Sequence, residues 1–146
     1  MKRFLCAAAC AALLGPGTAA RAEDWAVVGL TRSGTLYIDL DSVEPRDQHR
    51  KAWLMWDFPE PLKSPGTNAL YRSTRELWLL DCRSSLYTVL HGSYFPEPRA
   101  QGKPVDAFTV ELKQAVFQRS QRGTPVEVLF GTICKPPKVA PAPAGK

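Results

Sequence analysis

The chain has 146 residues, with 19 Lys and Arg against 14 Asp and Glu and a formal net charge of +5, which is enough for one domain with a real core and too little for two of ordinary size. The positive charge sits at the ends: without Lys2, Arg3 and Arg21 the net falls to +2, and residues 23–134 carry 13 basic and 14 acidic side chains, a net of −1. A body of that balance lacks the dense basic footprint of a nucleic-acid binder.

The first residues have the form of a secretory leader. Lys2 and Arg3 precede an apolar run from Phe4 to Leu14, and Ala20-Arg21-Ala22 follows as the small-residue cleavage pattern, which places the cut after Ala22. The run has 11 residues, well under the roughly 20 that cross a bilayer, so no transmembrane segment is expected after cleavage. Cys10 is preceded by Ala7, Ala8 and Ala9 rather than by the large aliphatic residue of a lipidated cysteine. The expected organisation is therefore a signal peptide over 1–22, one domain over 23–134 and a Pro/Ala-rich tail over 135–146, extended and without a core of its own. Cys6 and Cys10 leave with the leader. The remaining pair, Cys82 and Cys134, reads in an exported chain as one disulfide.

From Trp25 onward short β-rich runs alternate with turn signals. WAVVGL and GTLYIDL predict a hairpin around Thr31-Arg32-Ser33, with Gly34 expected to supply a positive φ. AWLMWDF, Ala52 to Phe58, predicts a third strand, ended by a loop in which Pro59, Pro61, Pro65 and Gly66 cannot continue a central strand. LYRSTRELWLLDC and SLYTVLHGSYF predict a second pair around a turn at Arg83 and Ser84, and VDAFTVEL is either a last strand or a helical turn. Next, Thr124 stands as N-cap, Pro125 at the first helical position and Glu127 where a capping box places its acid. Val126, Leu129, Phe130, Ile133 and Cys134 then share one helical face, and Pro136 and Pro137 end the helix.

A helix of about ten residues is marginal alone and must dock on the sheet. Alternation puts Glu76, Trp78, Leu80 and Cys82 on one face of their strand, so a bond from Cys82 to Cys134 makes that face the covered one. The fold class that follows is α+β: an antiparallel sheet of about five or six strands with a C-terminal amphipathic helix packed on one face and tied by a disulfide. Leu77 and Leu79 then point away from the helix, as do Trp53 and Met55 if they share that face. These four are the candidate partner-binding face, unless loops cover them.

The order WAVVG, SGTLYID with Ser42, RKAWLMWDF, Tyr71-Arg72-Ser73 leading to Asp81-Cys82, and a closing helix ending in Cys134 resembles the bacterial surface-adhesin protein E family from about Trp25 to Cys134. The resemblance implies an antiparallel sheet with a disulfide-tied C-terminal helix. It also implies a non-enzymatic binding protein for host extracellular-matrix or serum proteins, a homodimeric state, and haem as the one cofactor to consider. The chain departs from the family where Arg119 to Thr124 replace a Pro-Gly-Ser turn, and in its Pro/Ala tail. The expected location is outside the cytoplasm of a Gram-negative bacterium, in the periplasm or on the surface.

Catalytic signatures such as GxSxG, HExxH and a P-loop do not occur in the sequence. His49 and His91 read as surface residues, and as haem ligands only under the alternative of a periplasmic small-ligand or haem-binding protein; an envelope structural role is a further alternative. Asp39-Leu40-Asp41-Ser42 reads as a turn rather than a cation site. Arg50, Lys51, Arg72, Arg75, Lys63, Arg99 and Lys103 are candidates for a basic face toward acidic partners.

Overall fold

The computed structural model describes residues 24–135; the expected leader, Pro136, Pro137 and all but the first residue of the expected tail lie outside them. Eight strands form one antiparallel sheet: β1 Trp25–Leu30, β2 Thr35–Asp39, β3 Glu44–Arg46, β4 His49–Lys63, β5 Leu70–Asp81, β6 Leu86–Phe95, β7 Asp106–Thr109 and β8 Gln118–Arg119. Six run in the order β1-β2-β4-β5-β6-β7, while β3 continues the line of β2 along β4 and β8 that of β7 along β6. One helix, α1 Pro125–Ile133, closes the chain. VDAFTVEL divides between both of its expected outcomes, giving β7 and a 3-10 turn at Leu112–Gln114.

The helix lies on the face that strand alternation assigns to it. Leu36 and Ile38 of β2, Ala52 and Leu54 of β4, and Trp78 and Leu80 of β5 meet Val126, Leu129, Phe130 and Ile133 in one buried cluster. A fully buried leucine contributes about 1.5–3 kcal/mol through lost water contact, and Leu36, Leu54, Leu80 and Leu129 are all fully buried. Cys82 follows β5 directly and bonds Cys134 at the helix C-cap, with the two Cα atoms 5.3 Å apart. The bond spans 52 positions of sequence, and closing such a loop stabilises by about 4 kcal/mol in the chain-entropy account. At the other helix end the Glu127 carboxylate accepts from the Gly123 amide at 2.8 Å, while the Thr124 hydroxyl donates to the Gln121 carbonyl. The expected reciprocal capping box is thus replaced by an acid reaching one residue further back.

Two other expectations are corrected. Strand β4 continues through Pro59 and Pro61 to Lys63, because its register against β5 slips between Asp57 and Leu62 and β2 stops pairing at Asp57. Prolines there displace no ladder bond. Gly34 does not take a positive φ; a side chain there would strike the Asp57 carbonyl, 2.5 Å from the place of a Cβ, so the need is for close approach. The turn itself is organised by Thr31, whose hydroxyl oxygen accepts from the amides of Ser33 and Gly34.

Glu76 shares the helix-side face. Its carboxylate accepts from the Trp78 indole at 2.7 Å, and the Trp78 ring stacks on Tyr87 with centroids 4.6 Å apart. Burial pushes the Glu76 carboxyl above its ordinary 4.5, with the Trp78 donor opposing.

Two outcomes are expected. Cys134→Ser lowers stability by about 4 kcal/mol, read as a lowered melting temperature under oxidising but not under reducing conditions. For Glu76 the sign is the reverse of a salt-bridged acid: a carboxyl raised in the folded state costs nothing below the unfolded value and costs progressively more as the pH climbs from about 4.5 to the folded value. Denaturant titrations of Glu76→Gln and the parent at pH 4 and pH 7 therefore show the difference moving in favour of glutamine at the higher pH; a constant difference contradicts it.

Candidate functional site

The face opposite the helix is built by the alternate residues of the same strands. Trp53, Leu77 and His91 stand in one row across β4, β5 and β6, with Thr109 of β7 beyond, and Tyr37, Met55, Arg75 and Ser93 form the next row. Lys51, Leu79 and Thr88 flank the first row on its other side. This parity matches the sequence reading of Trp53, Met55, Leu77 and Leu79 as one face.

Loops close part of it. The 3-10 turn Pro98–Ala100 folds over Asp57 and Ser73, next along the face from the row of Met55. The Ser73 hydroxyl donates to the Glu97 carbonyl at 2.5 Å and accepts from the Ala100 amide at 2.9 Å, and Asp57 Oδ1 accepts from the Arg99 amide at 2.7 Å. Arg99 and Ala100 hold φ of 60° and 54°, a conformation that costs a side-chain-bearing residue of the order of 1 kcal/mol. Three convergent hydrogen bonds and the Arg99 guanidinium lying 4.6 Å over the Tyr37 ring offset that cost. Met55 is 0% exposed, so it is removed from the candidate binding face.

Trp53, Leu77 and Leu79 stay partly exposed. The Arg75 guanidinium covers the Trp53 ring at 4.8 Å and reaches toward Trp25 at 5.9 Å, and His91 meets the Trp53 edge with centroids 6.0 Å apart. His91 Nδ1 is 2.9 Å from the Thr109 hydroxyl and Nε2 3.4 Å from that of Ser93. Among the described residues no carboxylate hydrogen-bonds this imidazole, so the contacts tie β6 to β7 and orient Trp53 without the third group of a nucleophile–base relay.

Next to Leu79 the face opens into a cleft of about 430 Å³ lined by Arg46, Asp47, His49, Leu79, Leu112 and Phe117. The segment between β7 and α1 forms its outer wall. That segment is anchored by β8, which pairs Gln118 and Arg119 with Tyr87 and Leu86. Leu112 is 58% exposed, Val116 76% and Phe117 36%. Val116 and Phe117 are absent from the sequence reading and Leu112 enters it only as the last residue of VDAFTVEL, since single apolar residues among Lys and Gln carry no period. Across β4 and β5 from His49, the Ser84 hydroxyl first and then the amides of Arg83 and Ser84 hold the Asp81 carboxyl below its ordinary 3.8, against desolvation.

The remaining sequence candidates separate. His49 and His91 do not converge: Trp53, in the row of His91, is four positions along β4 from His49, about 13 Å at strand rise. Alternation sends Arg50 to the helix side and Lys51 and Arg75 to the other, where Arg72 lines a groove with Asp57 and Pro98; Arg72 donates to the Pro59 carbonyl and Arg50 to the carbonyls of Asp47 and His49. The expected basic face is therefore divided between two sides of the sheet. Asp39 accepts from the Asp41 amide, and the Ser42 hydroxyl bridges the Asp39 carbonyl to the Trp53 amide, which makes Leu40–Ser42 a 3-10 turn.

With this geometry in view, the profile of the surface-adhesin protein E family matches residues 25–135. The chain belongs to that family. Among solved structures it is similar to Haemophilus influenzae protein E in crystal form II, at 18% identity and a TM-score of 0.52 over 68% of this chain and 79% of that one. It is also similar to protein E from non-typeable Haemophilus influenzae, at 19% identity and a TM-score of 0.53 over 83% and 81%. At such identities the likeness establishes the fold. No curated protein matches at a significant level. The family match ends one residue past Cys134, so the disulfide and helix lie inside it. No helix among the described residues is long and apolar enough to cross a membrane.

The Pro98–Ala100 lid yields a test. Ser73→Ala removes both hydroxyl bonds to the turn and costs about 1–3 kcal/mol; hydrogen exchange at the Ala100 amide speeds up while that of Leu80, in the helix-side core, does not.

Proposed function

We propose that the chain is an exported, non-catalytic protein-binding domain of the bacterial envelope, and that it engages its partner through the open half of the sheet face opposite the helix. One observation carries the reading: Leu79, Leu112 and Phe117 converge on a cleft of about 430 Å³, with Val116 exposed nearby and Leu77 and Trp53 continuing the apolar surface along the sheet. A cluster of apolar and aromatic side chains with a charged rim, here Arg46 and Asp47, is the anatomy of a protein-binding patch. The family description, a surface adhesin, supports a host extracellular-matrix or serum protein as the partner and the cell surface as the location. A second copy of the chain on the same face gives a homodimer as the other occupant.

A second reading rests on His49, which lines the cleft beside Leu79 and Phe117 and can present a ring nitrogen to a flat apolar ligand such as haem.

The decisive experiment is a binding panel of immobilised matrix and serum proteins against wild type and the double variant Leu112→Glu, Phe117→Asp, with sedimentation velocity on both. Both positions are exposed, so the melting temperature stays within a few degrees. Loss of at least about tenfold in partner affinity, the scale of one hot-spot contact, supports the protein-binding role. Unchanged binding moves the partner elsewhere. A haem absorbance band abolished by His49→Ala, with no protein bound, favours the second reading.

A further inference from the structure

On the helix side of the sheet an aromatic run leads from Trp56, at the margin of the helix-packed core, away from α1. Trp56 stacks on Phe58, Phe58 meets Tyr71 edge-on, Tyr71 meets Tyr94 at 4.8 Å, and Tyr94 faces Phe108 at 6.1 Å. The run ends in a cleft of about 450 Å³, lined by Pro65, Gly66, Tyr94, Asp106, Ala107 and Phe108. Its walls are fixed in place. Phe108 packs against Gly92, its partner across β6 and β7, at a spot where a Cβ would come within 2.3 Å of the ring. The Asp106 carboxylate clamps the facing loop, accepting from the amides of Gly66 at 2.8 Å and Thr67 at 3.3 Å, while the Thr67 hydroxyl donates to the Val105 carbonyl.

The charge around this cleft has one sign. No lysine, arginine or histidine lines it, and Asp106 does. Desolvation works upward on the Asp106 carboxyl but is outweighed by the Gly66 amide, the Ser64 hydroxyl and the amides of Ala107 and Thr67, so it stays below its ordinary 3.8 and is ionised at neutral pH. Tyr94 lies within reach of a second carboxylate: burial first, then Glu76, Tyr71 and Asp106 push its phenol upward. Two ring faces with a fixed anion beside them attract a cation that carries apolar bulk, because the ring quadrupole and the carboxylate act in the same direction and the stem fills apolar space.

We propose that the Tyr94–Phe108–Asp106 cleft binds an organic ammonium group on an apolar stem, supplied either by a free small molecule or by a lysine side chain of a partner. This site lies across the sheet from the proposed protein-binding face, so either can fail without the other.

The test is an amide-resolved NMR titration of the wild-type protein with choline, with its neutral isostere 3,3-dimethylbutan-1-ol, and with Nα-acetyl-lysine N-methylamide. Saturable shifts confined to residues 64–67, 94 and 106–108, in the millimolar range, are expected for the ammonium compounds, with the alcohol at least about fivefold weaker. Choline alone assigns the site to a free ligand; comparable binding of the lysine amide assigns it to a side chain. Asp106→Asn, which keeps one oxygen to accept from the Gly66 and Thr67 amides, weakens choline about fivefold and leaves the alcohol unchanged. Equal binding of choline and its neutral isostere, or no saturable shift with any ammonium compound, overturns the proposal, and neither result depends on a variant folding.

Discussion

The bond between Cys82 and Cys134 decides which side of the sheet becomes interior. A nine-residue helix has too little intrinsic stability to hold a position by itself, and the disulfide fixes its C-terminal end against β5 while Leu129, Phe130 and Ile133 settle on Leu36, Leu54 and Leu80. Side chains in a strand point alternately to the two faces, so one covalent link at Cys82 commits Trp78 and Leu80 to the core and Leu77 and Leu79 to the other side. The asymmetry of the molecule follows from that single parity.

The helix covers only the part of its face near β1, β2, β4 and the C-terminal half of β5. The rest of the sheet is finished by other means. On the opposite face the Pro98–Ala100 turn closes over Ser73 and Asp57 through hydrogen bonds to both, and an Arg75 guanidinium lies over Trp53. At the far end of the helix side, aromatic rings pack on one another and on Gly92 without an overlying element. The two regions left uncovered therefore differ in chemistry. One is an aliphatic cleft with a mixed-charge rim around Leu79 and Phe117, and the other is an aromatic cleft with a carboxylate around Phe108 and Asp106. Residues in these uncovered regions can change at little cost to the core.

The sequence carried the parts of this architecture that repeat with a period. Alternation along β5 predicted the helix-covered face, and the spacing of Val126, Leu129, Phe130 and Ile133 predicted the buried helix face. What it did not carry depends on neighbours. Pro59 and Pro61 read as breakers, yet β4 passes through them because β2 has ended and the ladder slips there. Met55 reads as an exposed anchor, yet it is buried, beside a turn some forty residues later held by two residues in left-handed backbone that no composition rule selects. Gly34 reads as a turn glycine, and only the position of the Asp57 carbonyl explains it. Leu112, Val116 and Phe117 belong to a segment whose place is set by two residues of pairing in β8. Short, neighbour-dependent contacts of this kind shape both candidate binding regions, which is why function was harder to read than fold.

The prolines at the margin of β4 also bear on how copies of this protein behave when crowded. Leu62 and Leu70 are exposed at the end of the β4–β5 arm, 40% and 57% respectively, and a flat apolar arm of that kind is a template for lateral growth into fibres. Pro59 and Pro61 on β4, and Pro45 on the short margin strand β3, present no amide hydrogen along that border. An incoming chain finds carbonyls without the donors needed to complete a ladder. Greasy side chains can thus face water on this arm while that border stays closed to stacking.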